Sequence, residues 1–133
     1  MRVSQLMQGN LETISPTTPL NELYVVLADS RVSALPVVDH DGRLVGVISK
    51  TDILGFEEDA QMPQAREALY EGKFARDLMT SPALTVSPEA TIREAAQQML
   101  STGVHRLFVM DGERPVGVIS ITDILEAVAA GRL

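Results

Sequence analysis

Cysteine is absent from the 133 residues, and so is tryptophan. Without thiols there is no disulfide, no thiolate zinc site and no cysteine nucleophile. A chain without disulfides fits a cytoplasmic setting. Aromatics make up only 4% and histidines number 2, which leaves little material for metal sites or base-stacking platforms. Basic residues are also in deficit: 11 Lys and Arg stand against 18 Asp and Glu, for a formal net charge of −7. Such a chain lacks the basic surface that drives nucleic-acid binding, although a local pair of basic groups suffices for one small anion. No apolar run approaches the roughly 20 residues that cross a bilayer, so no membrane partner is expected. The start, Met1-Arg2-Val3-Ser4-Gln5-Leu6-Met7-Gln8, has neither the apolar stretch nor the cleavage site of a secretory signal. The remainder is an ordinary globular mix, 45% hydrophobic and 22% charged. It is enough for one compact domain or two small halves sharing a core.

The chain repeats itself. Leu6-Met7 recurs as Leu78-Met79, and Thr13-Ile14-Ser15-Pro16 as Thr85-Val86-Ser87-Pro88, 72 positions on (85 − 13). The same offset relates Glu22 to Glu94, Val32 to Val104, Leu35 to Leu107, Val37 to Val109 and Asp39 to Asp111. It then drops to 71 (117 − 46): Gly46-Val47-Ile48-Ser49-Lys50-Thr51-Asp52-Ile53-Leu54 matches Gly117-Val118-Ile119-Ser120-Ile121-Thr122-Asp123-Ile124-Leu125. The lost residue falls in a turn, His40-Asp41-Gly42-Arg43 against Gly112-Glu113-Arg114, where deletions are tolerated. Units this small bury too little apolar surface alone, so they are expected to pack together.

Each unit reads as β-α-β-β-α, an α+β (α/β-like) pattern. A short strand is expected around Thr13-Ile14 and again around Thr85-Val86. In the second unit Thr91 and Glu94 form a capping-box pattern ahead of Ile92, Ala95, Ala96, Met99 and Leu100, spaced as one buried stripe. In the first, Pro19 suits the first helical turn, with Leu20, Leu23, Tyr24 and Leu27 on one face. Apolar runs at Leu35–Val38 and Leu44–Ile48, and at Leu107–Met110 and Pro115–Ile119, flank Asp41-Gly42 and Asp111-Gly112, which are hairpin signals. A second helix is expected to start at Thr51-Asp52 and Thr122-Asp123, with Thr as N-cap and Asp in the positive first turn. The boundaries are 1–56 for the first repeat, 57–73 for a linker and 74–133 for the second repeat. The linker carries Glu57-Glu58-Asp59, then Pro63, then a short helix to Tyr70.

The run Gly-Val-Ile-Ser-x-Thr-Asp-Ile-Leu, present twice and each time after a hairpin, resembles the signature of CBS domains (named after cystathionine β-synthase). A tandem pair of them is a Bateman module. The resemblance covers Leu6 to about Ala129, apart from the linker. Arg31-Val32-Ser33-Ala34-Leu35-Pro36-Val37-Val38-Asp39 and Val104-His105-Arg106-Leu107 further resemble segments of the nucleotide-binding γ subunit of AMP-activated protein kinase. The resemblance implies two repeats packed with pseudo-twofold symmetry, two clefts between them, and adenosine-containing ligands: AMP, ADP, ATP or S-adenosylmethionine. It also implies a regulatory rather than catalytic role and pairing into a homodimer.

The chemistry of the repeated motif suits such a ligand. An ionised Asp has only acceptors and can take both protons of a cis ribose diol. Ser120 and Thr122 sit at i and i+2, where an extended segment aims both the same way. Backbone N–H groups at the helix start favour an anion. By resemblance the first cleft uses Asp123 for the ribose, Ser120 and Thr122 beside the sugar or phosphate, and Val118 against the adenine. Glu12 and Val32 would meet the adenine edge through backbone, Ser33 its polar rim, and His105 and Arg106 the phosphates. Met7 stands where the kinase subunit carries Thr, which puts one polar contact in question. The second, weaker cleft uses Val47, Ser49, Thr51 and Asp52 with the backbone near Leu84 and Val104. Its phosphate positions fall on Ser33 and Ala34, neither of them basic, and strand alternation aims Lys50 away. Charge-assisted hydrogen bonds contribute roughly 1.5–3 kcal/mol each, so missing two costs more than about a hundredfold in affinity, and the clefts are expected to differ. Against this stands the plainer reading of Thr51-Asp52 and Thr122-Asp123 as helix caps only.

The expected function is therefore a regulatory module that binds an adenine nucleotide and signals to a partner protein. The alternatives are a structural or dimerisation module with empty clefts, or an S-adenosylmethionine binder. An enzyme ranks last, because no nucleophile elbow, metal-ligand spacing or phosphate-cradling glycine loop is present. No catalytic residue, catalytic cofactor or metal is assigned. The apolar second helix, with Ile124, Leu125 and Val128, is the expected dimer face.

Overall fold

The computed structural model of the chain describes residues 1–29, 34–52 and 72–133. In chain order the elements are α1 (Val3–Leu6), α2 (Leu20–Asp29), β1 (Ala34–Val38), β2 (Leu44–Ser49), α3 (Ala75–Leu78), β3 (Thr85–Val86), α4 (Ile92–Thr102), β4 (Arg106–Asp111), β5 (Arg114–Ser120) and α5 (Ile121–Ala129). They divide into two compact units, Glu12–Ala83 and a composite of Met1–Leu11 with Leu84–Leu133.

In the 12–83 unit, β1 and β2 form an antiparallel hairpin with Leu35 opposite Ile48 and Pro36 opposite Val47. Ile14 adds a parallel bridge to Val37. The composite unit extends the same plan. There β3 runs parallel to β4, and β4 pairs antiparallel with β5, Leu107 opposite Ile119. Both hairpins turn on a glycine in the left-handed region, Gly42 at φ 84° and Gly112 at φ 64°, which side chains with a Cβ rarely adopt. The expected strand at Thr85-Val86 is present, whereas its counterpart at Thr13-Ile14 reduces to the single bridge at Ile14.

Each unit has its own apolar core. Leu20, Leu23, Leu27, Leu35, Val37, Ile48 and Ala75 fill one, and Val3, Ile92, Ala95, Met99, Leu107, Val109 and Ile119 fill the other. Thr91 caps α4 as expected, its Oγ1 accepting the Glu94 N–H at 3.1 Å, and Gly103 at φ 74° ends the helix. The helical stripes are narrower than the spacing suggests. Leu100 is 80% exposed and Tyr24 47%. Successive residues turn about 100° round a helix axis, which carries Leu100 roughly 105° and Tyr24 roughly 65° away from the middle of their buried rows.

The leading turns were not legible as helices. In the composite unit the Val3 N–H donates to Ala90 O at 2.8 Å, Ser4 N–H to Pro88 O at 3.0 Å, and Ile92 N–H to Met1 O at 3.1 Å. The 12–83 unit repeats the bonds one for one: Ala75 N–H to Thr18 O at 2.9 Å, Arg76 N–H to Pro16 O at 3.0 Å, and Leu20 N–H to Lys73 O at 3.1 Å. The segment opening each repeat thus completes the unit that holds the other repeat's hairpin. The linker features from Glu57 to Tyr70, and the helix expected through Ile53-Leu54, lie outside the described residues.

Candidate nucleotide site

The site residues fall where a strand gives way to a helix. In the composite unit β5 ends at Ser120 and α5 begins at Ile121. Ser120, extended at φ −118° and ψ 162°, is the N-cap. Its Oγ accepts the Asp123 N–H at 3.1 Å, while Asp123 Oδ2 accepts the Ser120 N–H at 2.9 Å. This reciprocal pair satisfies two backbone donors that a helix start otherwise leaves open. The 12–83 unit does the same with Ser49 and Asp52, at 3.2 Å and 2.7 Å. Two expectations are corrected here. The cap is Ser, not Thr, and the helix starts earlier than Thr122 and Thr51. Thr122 and Lys50 therefore lie on helical backbone, where strand alternation does not govern their direction. Thr122 is exposed, whereas Thr51 does come within 2.8 Å of Ser49 through the two hydroxyls.

Asp123 is 8% exposed, a buried carboxylate. Its Oδ1 accepts from Gln8 Nε2 at 2.8 Å. Gln8 is held there by paired backbone bonds, Gln8 N–H to Val118 O at 2.9 Å and Val118 N–H to Gln8 O at 3.0 Å. The other unit repeats the backbone pair with Thr80 and Val47, at 2.8 and 3.0 Å. The chain's own symmetry therefore matches Gln8 to Thr80 and Met7 to Met79. Gln8 is the functional candidate that sequence reasoning missed. Carrying the Leu6-Met7 register one residue further would have found it.

Arg106 opens β4 directly opposite Ser120. Residues paired across antiparallel strands project to the same face, so its guanidinium shares the face of the helix start. Burial pushes its pKa down from the ordinary arginine value, and among the described residues no carboxylate pairs with it. A desolvated cation without a counter-charge is improved by an arriving anion. At the matching place opposite Ser49 stands Ala34, buried and apolar. His105 is exposed, and its carbonyl accepts the Ile121 N–H at 2.9 Å, tying the start of β4 to that of α5.

The remaining candidates divide between the units. Val118 is half-buried on β5, and Leu84 and Val104 also belong to the composite unit, Leu84 exposed and Val104 against the core. Val47, half-buried on β2, and Glu12, exposed ahead of the Ile14 bridge, belong to the 12–83 unit. Val32 and Ser33 lie outside the described residues. Among the described residues no helix is long and apolar enough to cross a membrane.

A hairpin running into a Ser-capped helix, with an Asp three residues after the Ser, occurs in both units. The CBS domain family matches residues 3–59 and 75–130, and the chain belongs to that family as a tandem pair. It is 27% identical over 139 residues to the chloroplastic CBS domain-containing protein CBSX1 of Arabidopsis thaliana, covering 89% of this chain and 59% of that protein. It is 30% identical over 119 residues to the γ-3 subunit of 5′-AMP-activated protein kinase of Sus scrofa, covering 89% of this chain and 23% of the subunit. The chain thus spans less than two thirds of the first relative and under a quarter of the second. The crystal structure of CBSX2 in complex with AMP superposes with a TM-score of 0.83 at 27% identity, covering 99% of this chain and 98% of that one.

Proposed function

We propose that this chain is a non-catalytic regulatory module that binds an adenine nucleotide at the start of α5 and passes its occupancy to a partner protein. The observation that carries the reading is the pairing of a buried acceptor with a desolvated cation. Asp123 offers a carboxylate of the kind that takes ribose hydroxyls, and Arg106 opposite Ser120 offers the charge an attached phosphate needs. The likeness to a structure of CBSX2 with AMP supports adenosine as the ligand class. His105 assists at the phosphate and Val118 packs on the base. The Asp52 site has Ala34 where the other has Arg106, so it binds phosphorylated ligands weakly.

Isothermal titration and thermal shift with AMP, ADP, ATP and S-adenosylmethionine test this. Ligand at about 100 times its Kd adds about 2.7 kcal/mol of stability. Asp123→Ala should remove the AMP response and Asp52→Ala should leave most of it. Indifference of the wild-type protein to every adenylate at millimolar concentration would sink the reading. A homodimer is also proposed, on the exposure of Leu125 at 62% and Val128 at 54% along α5. Light scattering should report twice the chain mass, and Leu125→Glu should halve it.

A further inference from the structure

Among the described residues the Gln8–Asp123 contact has no equivalent in the other unit. Asp52 is capped as Asp123 is, and Thr80 is bonded to Val47 as Gln8 is to Val118. Yet among the described residues no side chain from the leading segment donates to Asp52, whereas the Gln8 amide donates to Asp123 Oδ1 at 2.8 Å. The donor comes from a residue 115 positions away in the chain, so local helix capping does not require it. The cap is already complete through Oδ2.

We propose that the Gln8 carboxamide is a built-in stand-in for a ligand hydroxyl, an affinity-setting residue that a ribose hydroxyl must displace from Asp123. This rests on the reading of Asp123 as the ribose holder. A carboxylate has about four acceptor positions. The Ser120 N–H takes one on Oδ2 and Gln8 one on Oδ1, and because the carboxylate is only 8% exposed an arriving hydroxyl competes with the Gln8 amide for Oδ1. Gln8 is exposed, and its place in the fold is fixed by backbone rather than by its side chain. The amide can therefore swing away without disturbing β5. Displacement sets a threshold: a ligand with one hydroxyl trades one hydrogen bond for another, while a diol gains a second. Gln8 thus lowers affinity for ligands that bring ribose hydroxyls to Asp123 and leaves ligands without them unaffected.

The test replaces Gln8 by its symmetry counterpart, Gln8→Thr, and by Gln8→Ala, each first shown to melt as one cooperative protein. AMP and 2′,3′-dideoxyadenosine monophosphate are titrated into wild type, both variants and Asp123→Ala. The net worth of one hydrogen bond corresponds to roughly a threefold to tenfold change, so both Gln8 variants should bind AMP tighter by that factor. The dideoxy analogue, which has no hydroxyl to compete, should bind all of them alike. AMP affinity unchanged or weakened in both Gln8 variants, or an equal gain for the dideoxy analogue, would overturn the proposal. In that case loss of AMP by Asp123→Ala still upholds the site. No adenylate binding by wild type or any variant overturns site and stand-in together.

Discussion

A single carboxylate at position 123 closes a helix cap with one oxygen and accepts the Gln8 amide with the other. Capping and binding were set against each other in the sequence, but the geometry lets both hold. Removing the carboxylate therefore has two separable effects. Asp123→Ala and Asp52→Ala should each lose about 0.5–2 kcal/mol in urea unfolding, the usual worth of a cap. Only Asp123→Ala should also lose AMP. Arg106 is separable in another way, since the proposed site gives it the phosphate rather than the sugar. Arg106→Ala should weaken AMP at least about tenfold, by the loss of one charge-assisted bond, and leave adenosine affinity unchanged. An equal loss for adenosine would assign Arg106 to packing instead. The twice-repeated Ser-x-Thr-Asp run made the Asp legible, although the run points to Thr as the cap and the structure puts it on Ser, three residues before the Asp. The repeat register reaches the position of Gln8, but its contact with Asp123 spans 115 positions, and no local pattern reports a contact of that span. A smaller effect belongs to Asp39 in the first hairpin turn. The Arg43 N–H, then the Asp41 N–H and nearby positive charge, outweigh desolvation and hold its carboxyl below the usual 3.8. A depressed folded value means that its stabilisation is present above about pH 4 and is lost as pH falls through the folded value. Asp39→Asn should flatten only that acid limb of the melting temperature.

The strands and hairpins were readable as elements because their signal is local: alternating apolar runs bracketing Asp-Gly. The leading turns α1 and α3 were not. Four residues are too few to show a helical period, and their partners are residues such as Ala90 and Thr18 far along the chain. What the repeat did carry was a pair of glycines whose purpose only the packing explains. A Cβ on Gly117 would sit 2.6 Å from Met7 Sδ and 3.0 Å from Gln8 O, and one on Gly46 would sit 2.7 Å from Met79 Sδ and 3.0 Å from Thr80 O. Each glycine is a slot into which the leading segment's methionine and backbone settle. The thioether can swing aside, but the carbonyl is fixed by its bond to Val118 or Val47. Gly117→Ala should then cost about 1–3 kcal/mol, the usual range for overpacking, and disturb AMP binding by shifting Gln8. Gly9, where an added methyl would meet nothing within 4 Å and φ is not positive, is the control. Gly9→Ala should be neutral or stabilise by up to about 1 kcal/mol through the unfolded chain. Urea midpoints for the two variants check both signs.

At the scale of the whole molecule, duplication made two equivalent helix starts and divergence made them unequal. Both keep the Ser cap, the Asp, the slot glycine and the backbone pair to the leading segment. They differ at Arg106 against Ala34 and at Gln8 against Thr80, the positions to which the proposed function assigns the ligand. The overall charge of −7 works against any anion, and counter-ions screen that field over about 8–10 Å at ordinary salt. Binding of a phosphorylated ligand therefore depends on local cations, and only the Asp123 site has a desolvated one among the described residues. Titration should give one AMP per chain, with the stoichiometry unchanged by Asp52→Ala. The asymmetry should vanish with the phosphate. Adenosine lacks the group that Arg106 neutralises and meets no Gln8 at Asp52, so it should fill both sites with affinities within about tenfold, reaching two per chain. Two tight AMP sites per chain would mean that the phosphate is held by groups other than Arg106, and the division of labour between the two halves would have to be reassigned.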